Sequence, residues 1–334
     1  MRILFAGDNW YGSNARSLAD GFRAAGHEVV VVDTTAVTVP TRGTSAWWYA
    51  KRTGERSPAT VDRVHRELVE CVAALRPDLL FCYKTVHLDQ ARLLSLPVPV
   101  KVHYSADDVT NPYNTTPAYL EREAEWDAVI TTKAHNVPEL DARGVRRVIH
   151  VFSAYDPAWH RPVARRGPVR YAAGFIGAMR PDRTEFLIHL AGELGDRFYL
   201  AGPGWRRNLG ARTSGARIAG PQYGEELSAA IATIGANLVL LNSDNRDTHT
   251  CRTFEVPAAA GLVVGERTVE HEALFDDGRE AYLFDSHEEL AEILRRCTAA
   301  PDEAAAVAAR GHRRIVDGGH TYRDRAEQIH AALG

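Results

Sequence analysis

Apolar residues fall in short, regularly spaced runs along this chain, and the spacing alone predicts a sequence of strands and helices. Arg2 to Ala6 is an apolar run that ends at Gly7, and a polar loop, DNWYGSN, follows it. A helical period then runs through Ala15, Leu18, Ala19 and Phe22, and Gly26 closes it. The next run, HEVVVVD, is continuous and β-branched, as expected for a parallel strand covered on both faces. The opening therefore reads as strand, helix, strand, a Rossmann-like start.

The alternation continues with a helix from about Val61 to Leu75, the strands DLLFCY and PVKVHY, a helix around Ala118 to Glu125, the strand AVITT, and a short strand from Arg147 to Phe152. The segment AYDPAWHRPVARRGP has no periodicity and is rich in Pro and Arg, so the linker is expected at 153–168. A second alternating series follows. It comprises YAAGFIG, a helix from about Thr184 to Leu194, FYLAGPG, a helix near Glu225 to Thr233, and NLVLLN. Glu255 to Ala260 should open a helix, LVVGE and AYLFD read as strands, and Ser286 with Glu289 predicts a capping box for a helix to about Arg296. Two helices, from about Pro301 and about Tyr322, finish the chain. The expected division is a Rossmann-like domain over 1–152, a second one over 169–316, and a C-terminal helix over 317–334 that crosses back to the first. A chain of 334 residues exceeds what one core usually serves, which agrees with two domains.

Composition narrows the function. The net charge of −3 and the lack of long basic runs argue against nucleic acid as a partner. Lys is confined to Lys51, Lys84, Lys101 and Lys133, so nearly all positive charge is Arg, a bidentate phosphate ligand but also a common mark of GC-rich coding. Cys71, Cys82, Cys251 and Cys297 show no C-x-x-C pairing, and neither a signal-peptide pattern nor a run of about 18 apolar residues occurs. A cytoplasmic protein without a membrane span is the expectation.

Ligands of open parallel sheets sit at the carboxyl ends of strands, so two such domains facing each other would put their loops into one cleft. The stretch from Leu240 to Leu290 is the richest in chemistry. Thr253, Phe254 and Glu255 begin a helix of small residues that stops at Gly261, and a helix start attracts phosphate through its amides and dipole. Asp247 and Glu255 can face one ligand, each accepting hydrogen bonds from a sugar diol. The plainer alternatives are a first-turn acid that complements the helix dipole for Glu255 and a solvated loop acid for Asp247.

CRTFEVPAAAG, ERTVEHEALF and DGREAYLFDSHEELAEIL, with FIGAMRPDR and GPQYGEELSAA before them, resemble the spore-maturation-protein (CgeB-like) branch of the group 1 glycosyltransferases. The resemblance covers most of the second domain and implies the GT-B fold, two facing doubly wound α/β domains. It implies transfer of a sugar from a nucleoside diphosphate to a hydroxyl or amine, with retention. By the same resemblance Glu255 binds the donor ribose, Asp247 lies beside the transferred sugar, and Arg183, shortly after Gly177, binds the diphosphate. The family usually has Glu at the position of Asp247 and Arg at that of Ala178, so Arg180 or Arg252 is left to complete the charge. Tyr223, Thr253 and Phe254 join the expected donor-binding set.

A guanidinium can stabilise a leaving diphosphate, so no metal or other cofactor is expected. In the first half the resemblance rests on GDNWYGSN and on VKVHYSADD, a strand read as ending in His103. His103 could share the acceptor proton or be one structural histidine among fourteen. Asn9, Trp10, Lys84, Asp107 and Asp108 are further acceptor-side candidates. Two other functions remain open on this sequence, a nucleotide-sugar epimerase of the same bilobal fold and a non-catalytic sugar- or nucleotide-binding homologue. A dehydrogenase fits less well, because GDNWYG lacks G-x-G-x-x-G.

Overall fold

The computed structural model describes residues 1–164 and 168–334, so residues 165–167 of the expected linker lie outside the described residues. The chain divides into two compact units. One comprises Met1–Phe152 with Tyr322–Gly334, the other Ser153–Thr321.

The first unit is built on six strands, β1 (Arg2–Gly7), β2 (Glu28–Asp33), β3 (Leu79–Tyr83), β4 (Val100–Ser105), β5 (Ala128–Thr131) and β6 (Val148–His150). They form one sheet in the order β2-β1-β3-β4-β5-β6, with every pair parallel. Parallel neighbours require crossovers, and the long Pro58–Leu75 helix supplies one of them. It buries Val64, Leu68 and Val72, one face at helical spacing, against Leu4, Leu80 and Cys82 of the sheet. The helix expected around 118–125 is instead a short turn of helix at Pro117–Leu120 and a 3-10 turn at Glu123–Glu125. A segment of that length carries too few apolar repeats to specify a long helix.

The chain's last helix, Tyr322–Leu333, completes this unit by packing on the Asn14–Ala24 helix. Gly21 makes the contact possible, because a Cβ there would lie 2.4 Å from the carbonyl oxygen of Tyr322. Arg325 Nε donates to the Phe152 carbonyl at 2.9 Å, and Arg147 donates to the terminal carbonyls of Ala332 and Leu333 at 3.2 and 2.9 Å.

The second unit repeats the design with β7 (Tyr171–Ile176), β8 (Phe198–Ala201), β9 (Arg217–Ala219), β10 (Ile234–Val239), β11 (Val263–Glu266) and β12 (Tyr282–Phe284). The order is β12-β11-β10-β7-β8-β9, again all parallel. Helices Pro181–Leu194 and His287–Ala299 bury Leu187, Leu190, Leu290 and Ile293 against Phe175, Leu238 and Val264. The direction of travel across the sheet reverses between β7 and β10, so their carboxyl-end loops diverge and leave room for a ligand. No helix among the described residues is long and apolar enough to cross a membrane.

The substitution Gly21→Ala opposes two effects. Alanine gains roughly 1 kcal/mol in helix propensity, while the overlap with the Tyr322 backbone costs about 1–3 kcal/mol. The clash should dominate, lowering the melting temperature and exposing the last helix to limited proteolysis. A variant as stable and as protease-resistant as the parent would contradict this packing.

Candidate donor site

At the carboxyl end of β7 two loop backbones pass very close. A Cβ on Gly177 would meet the ring of Phe175 at 2.5 Å, and one on Gly202, which has φ +135°, would lie 2.0 Å from the Gly177 carbonyl oxygen. Only glycine serves at Gly202. The Gly177 N–H donates to Ala201 at 2.9 Å, and its carbonyl accepts from the indole of the fully buried Trp205 at 2.9 Å. The end of β7 is thereby held rigid and bare of side chains.

The loop after β10 is closed by Asp247. Its carboxylate accepts from the Asn242 amide N–H at 3.1 Å, from Asn242 Nδ2 at 2.7 Å and from Asn245 Nδ2 at 2.6 Å. Asn242 in turn receives Arg183 Nη2 at 2.5 Å, while Arg183 Nη1 donates to the Leu240 carbonyl at 3.2 Å. The guanidinium lies 5.1 Å from the ring centre of Phe175, and Arg183 is only 8% exposed. Burial pulls its pKa down from the ordinary value, with Asp182, Glu266 and Asp247 acting against that loss. Arg180 pairs with Asp244, and Asp182 accepts from the N–H and hydroxyl of Ser243, both at 3.0 Å. Arg183 and Asp247 thus organise this loop from beneath, whereas Arg180 and Arg252 keep side chains about a third and a quarter exposed.

The following helix spans Cys251–Ala258, four residues earlier than the start expected at Glu255. Thr250 and Thr253 cause the shift, the Thr253 hydroxyl accepting the Thr250 N–H at 3.1 Å. Glu255 therefore stands in the second turn, 4% exposed, and the reading of it as a first-turn acid beside the dipole is corrected. Its carboxylate pairs with Arg252 Nη1, and Arg252 Nε donates to the Ile176 carbonyl at 3.1 Å. On its other side His160 Nε2 lies 3.6 Å from Glu255 Oε1. The Asp156 N–H donates to His160 Nδ1 at 3.0 Å, which puts the imidazole proton on Nε2, toward the carboxylate. Burial lowers the His160 pKa and the Glu255 charge opposes that loss. Thr253 is wholly buried against His271 Nε2 at 2.9 Å, and Phe254 packs between His249 and His320. These two side chains face inward, so only their backbone belongs to the surface. Tyr223 caps the Gly224–Ile231 helix and is half-buried.

In the first unit Asn9 and Trp10 follow β1, Lys84 follows β3, and Asp107 follows β4, so these residues gather at the carboxyl ends of neighbouring strands. Lys84 pairs with Asp107, and the Asn9 N–H donates to Asp33 and Thr35, each at 3.1 Å. Asp108 departs from the cleft role. It is 1% exposed and accepts from the N–H and hydroxyl of Thr110 and from Asn136 Nδ2, all at 2.9 Å, as the organiser of its own loop.

His103 also needs correction. It lies two residues before the end of β4, is 1% exposed, and its ring sits 4.4 and 5.6 Å from those of Tyr119 and Trp126. Nδ1 is 2.9 Å from the Tyr119 hydroxyl, which is hydrogen-bonded to Glu123, itself paired with Arg143 at 2.6 and 3.2 Å. The imidazole is a core group with no surface from which to take an acceptor's proton.

Residues 180–331 match a protein-family model described as "Glycosyl transferase-like". No curated protein sequence matches the chain. Among solved structures, Anabaena HepE in complex with UDP-glucose shares the fold at a TM-score of 0.66 and 12% identity, over 100% of this chain and 99% of that one. Sucrose-phosphate synthase from Thermosynechococcus elongatus gives 0.68 and 13%, over 99% and 98%. The fold is GT-B. A putative UDP-N-acetylglucosamine 2-epimerase from Listeria monocytogenes shares it as well, at 0.58 and 12% over 99% and 95%, so GT-B architecture by itself does not separate transferase from epimerase.

Within this GT-B chain the sequence reading missed His160, Asn242 and the Thr250–Thr253 cap. His160 sits in the segment read as linker, where the one available sign is its four-residue offset from Asp156. Among the described residues no group of three His, Cys, Asp or Glu side chains converges as a metal site would.

The burial of His103 has a consequence for pH. Its pKa is pushed down to about 3 from 6.5, so between those values the unfolded chain binds a proton that the folded chain refuses. Its contribution to stability is complete above about pH 6.5 and is lost as the pH falls toward 3, at up to about 1.4 kcal/mol per pH unit. His65 and His87, pushed down to about 4 by burial, act in the same direction. Urea midpoints should fall between pH 7 and pH 5, and less steeply in His103→Gln. An unchanged slope in that variant would refute the assignment.

Proposed function

We propose that this protein is a glycosyltransferase that moves a sugar from a nucleoside-diphosphate donor to an acceptor hydroxyl or amine, retaining and without a metal, of the hexosyltransferase class and the CgeB-like branch. The observation that carries the proposal is the Glu255 carboxylate, nearly buried beside the end of β7 and held between Arg252 and His160. A carboxylate fixed in this way can accept hydrogen bonds from a ribose diol. Arg252 and Arg180 offer guanidinium charge to a diphosphate, and Arg183 supports them from below, so charge on the leaving group has a protein source. The HepE complex makes UDP-glucose the first donor to test.

On this reading the acceptor falls to the first unit, with Asn9, Trp10, Lys84 and Asp107 at its strand ends. Asp107 or a donor phosphate oxygen then takes the acceptor proton in place of His103. Epimerase chemistry has one observation in its favour, the Listeria structure of the same fold. Release of free UDP with an isomerised sugar and no acceptor would identify that activity, whereas acceptor-dependent UDP release identifies transfer.

Glu255→Ala should weaken UDP-sugar binding by roughly ten- to a hundredfold, the equivalent of about 1.5–3 kcal/mol. Because that variant leaves Arg252 and His160 facing a void, the isosteric Glu255→Gln and melting temperatures without ligand separate binding from folding. Equal nucleotide affinity in folded variants would remove Glu255 from the donor site. Turnover should survive excess EDTA, and a complete loss restored by Mg²⁺ would overturn the metal-free mechanism.

A further inference from the structure

The second unit holds a cavity of about 270 Å³ at the end of its sheet opposite the donor loops. Arg170 and Tyr171 lie at the start of β7, Gly235 at the start of β10 and Leu262 just before β11, so the cavity opens at the amino ends of three neighbouring strands. Helices His287–Ala299 and Pro301–Val316 close it, and the second of them contributes Ala304, Ala305 and Ala308. The space exists because that helix presents alanines where leucines would fill it. The pocket is open to solvent at its rim, where Val169, Arg170 and Arg197 are exposed, and its volume is roughly twice the 150 Å³ of an apolar cavity that takes up benzene.

Two features specify a ligand. The walls are mainly apolar, and the Cys297 thiol among them is pushed by burial up to about 11, so it remains a neutral, weakly polar surface. Arg170 and Arg197 also line the cavity, both are exposed, and among the described residues neither has a carboxylate partner. A cation would be repelled, and a nucleotide would bring ribose hydroxyls to walls with few acceptors. We infer that this cavity binds a small amphipathic anion, with an aliphatic or aromatic body inside and a carboxylate or phosphate head on Arg170 and Arg197. A six-residue strand is about 20 Å long, so the site is separate from the donor loops at the other end of β7. It does not depend on the glycosyltransferase reading.

Calorimetric titration of the whole chain with octanoate, octyl phosphate and 1-octanol tests the inference. At least one anion should bind saturably, and the stronger of the two identifies the head group. Arg170→Ala and Arg197→Ala should each weaken the anion by roughly two- to fivefold, the scale of an exposed ion pair, while 1-octanol binding stays the same. Ala308→Leu should weaken all three ligands, and Ala305→Leu, at the exposed rim, serves if the first variant does not fold. No saturable binding of either anion would overturn the proposal, as would anion binding indifferent to both arginines and to the alanine substitution.

Discussion

A carboxylate with almost no access to water must be compensated where it stands, and the neighbourhood of Glu255 is arranged by that requirement. Arg252 supplies the countercharge, and its Nε, tied to the carbonyl of Ile176, fixes the Cys251–Ala258 helix to the end of β7. His160 approaches from the other side, and its orientation is set by the Asp156 amide, so the segment before β7 is drawn onto the same group. One desolvated charge thereby ties together a strand end, a helix and an entering loop. Removal of Arg252 would leave a charge that the interior cannot solvate, with only the His160 N–H left beside it.

Around this centre the loops are held by polar side chains that act on one another. Asp247 gathers Asn242 and Asn245, Asn242 receives Arg183, and Asp182 holds Ser243, so the loop after β10 and the start of the Pro181–Leu194 helix form one hydrogen-bonded body. A site of this kind is preorganised, and a ligand entering it need not bear the full cost of ordering its walls.

The fold was legible in the sequence because parallel strands leave continuous apolar runs separated by helices of clear period, NLVLLN being one that is buried, whereas HEVVVVD, read as covered on both faces, forms the edge strand β2 with only Val32 buried. The boundaries were less legible. A Thr250–Thr253 cap begins the Cys251–Ala258 helix one turn early, since threonine can do at the third helical position what a capping box usually assigns to Glu or Gln. The residue types at the strand ends could be named, yet their depth could not. His103 and Asp108 carry reactive groups in suggestive places along the chain, and only the packing of Tyr119, Trp126 and Asn136 shows both to be interior. His160 was hidden for the opposite reason, lying in an aperiodic stretch that is close to Glu255 in space and distant in sequence.

The return of Tyr322–Leu333 to the first unit bears on how the protein is made. Ribosomal synthesis delivers the first 152 residues well before the last helix, so the face of the Asn14–Ala24 helix around Gly21 stays uncovered while the whole second unit is translated. The nascent first unit is therefore one helix short, and its final surface closes only after the other core has been synthesised. During that interval the uncovered face is available to chaperones.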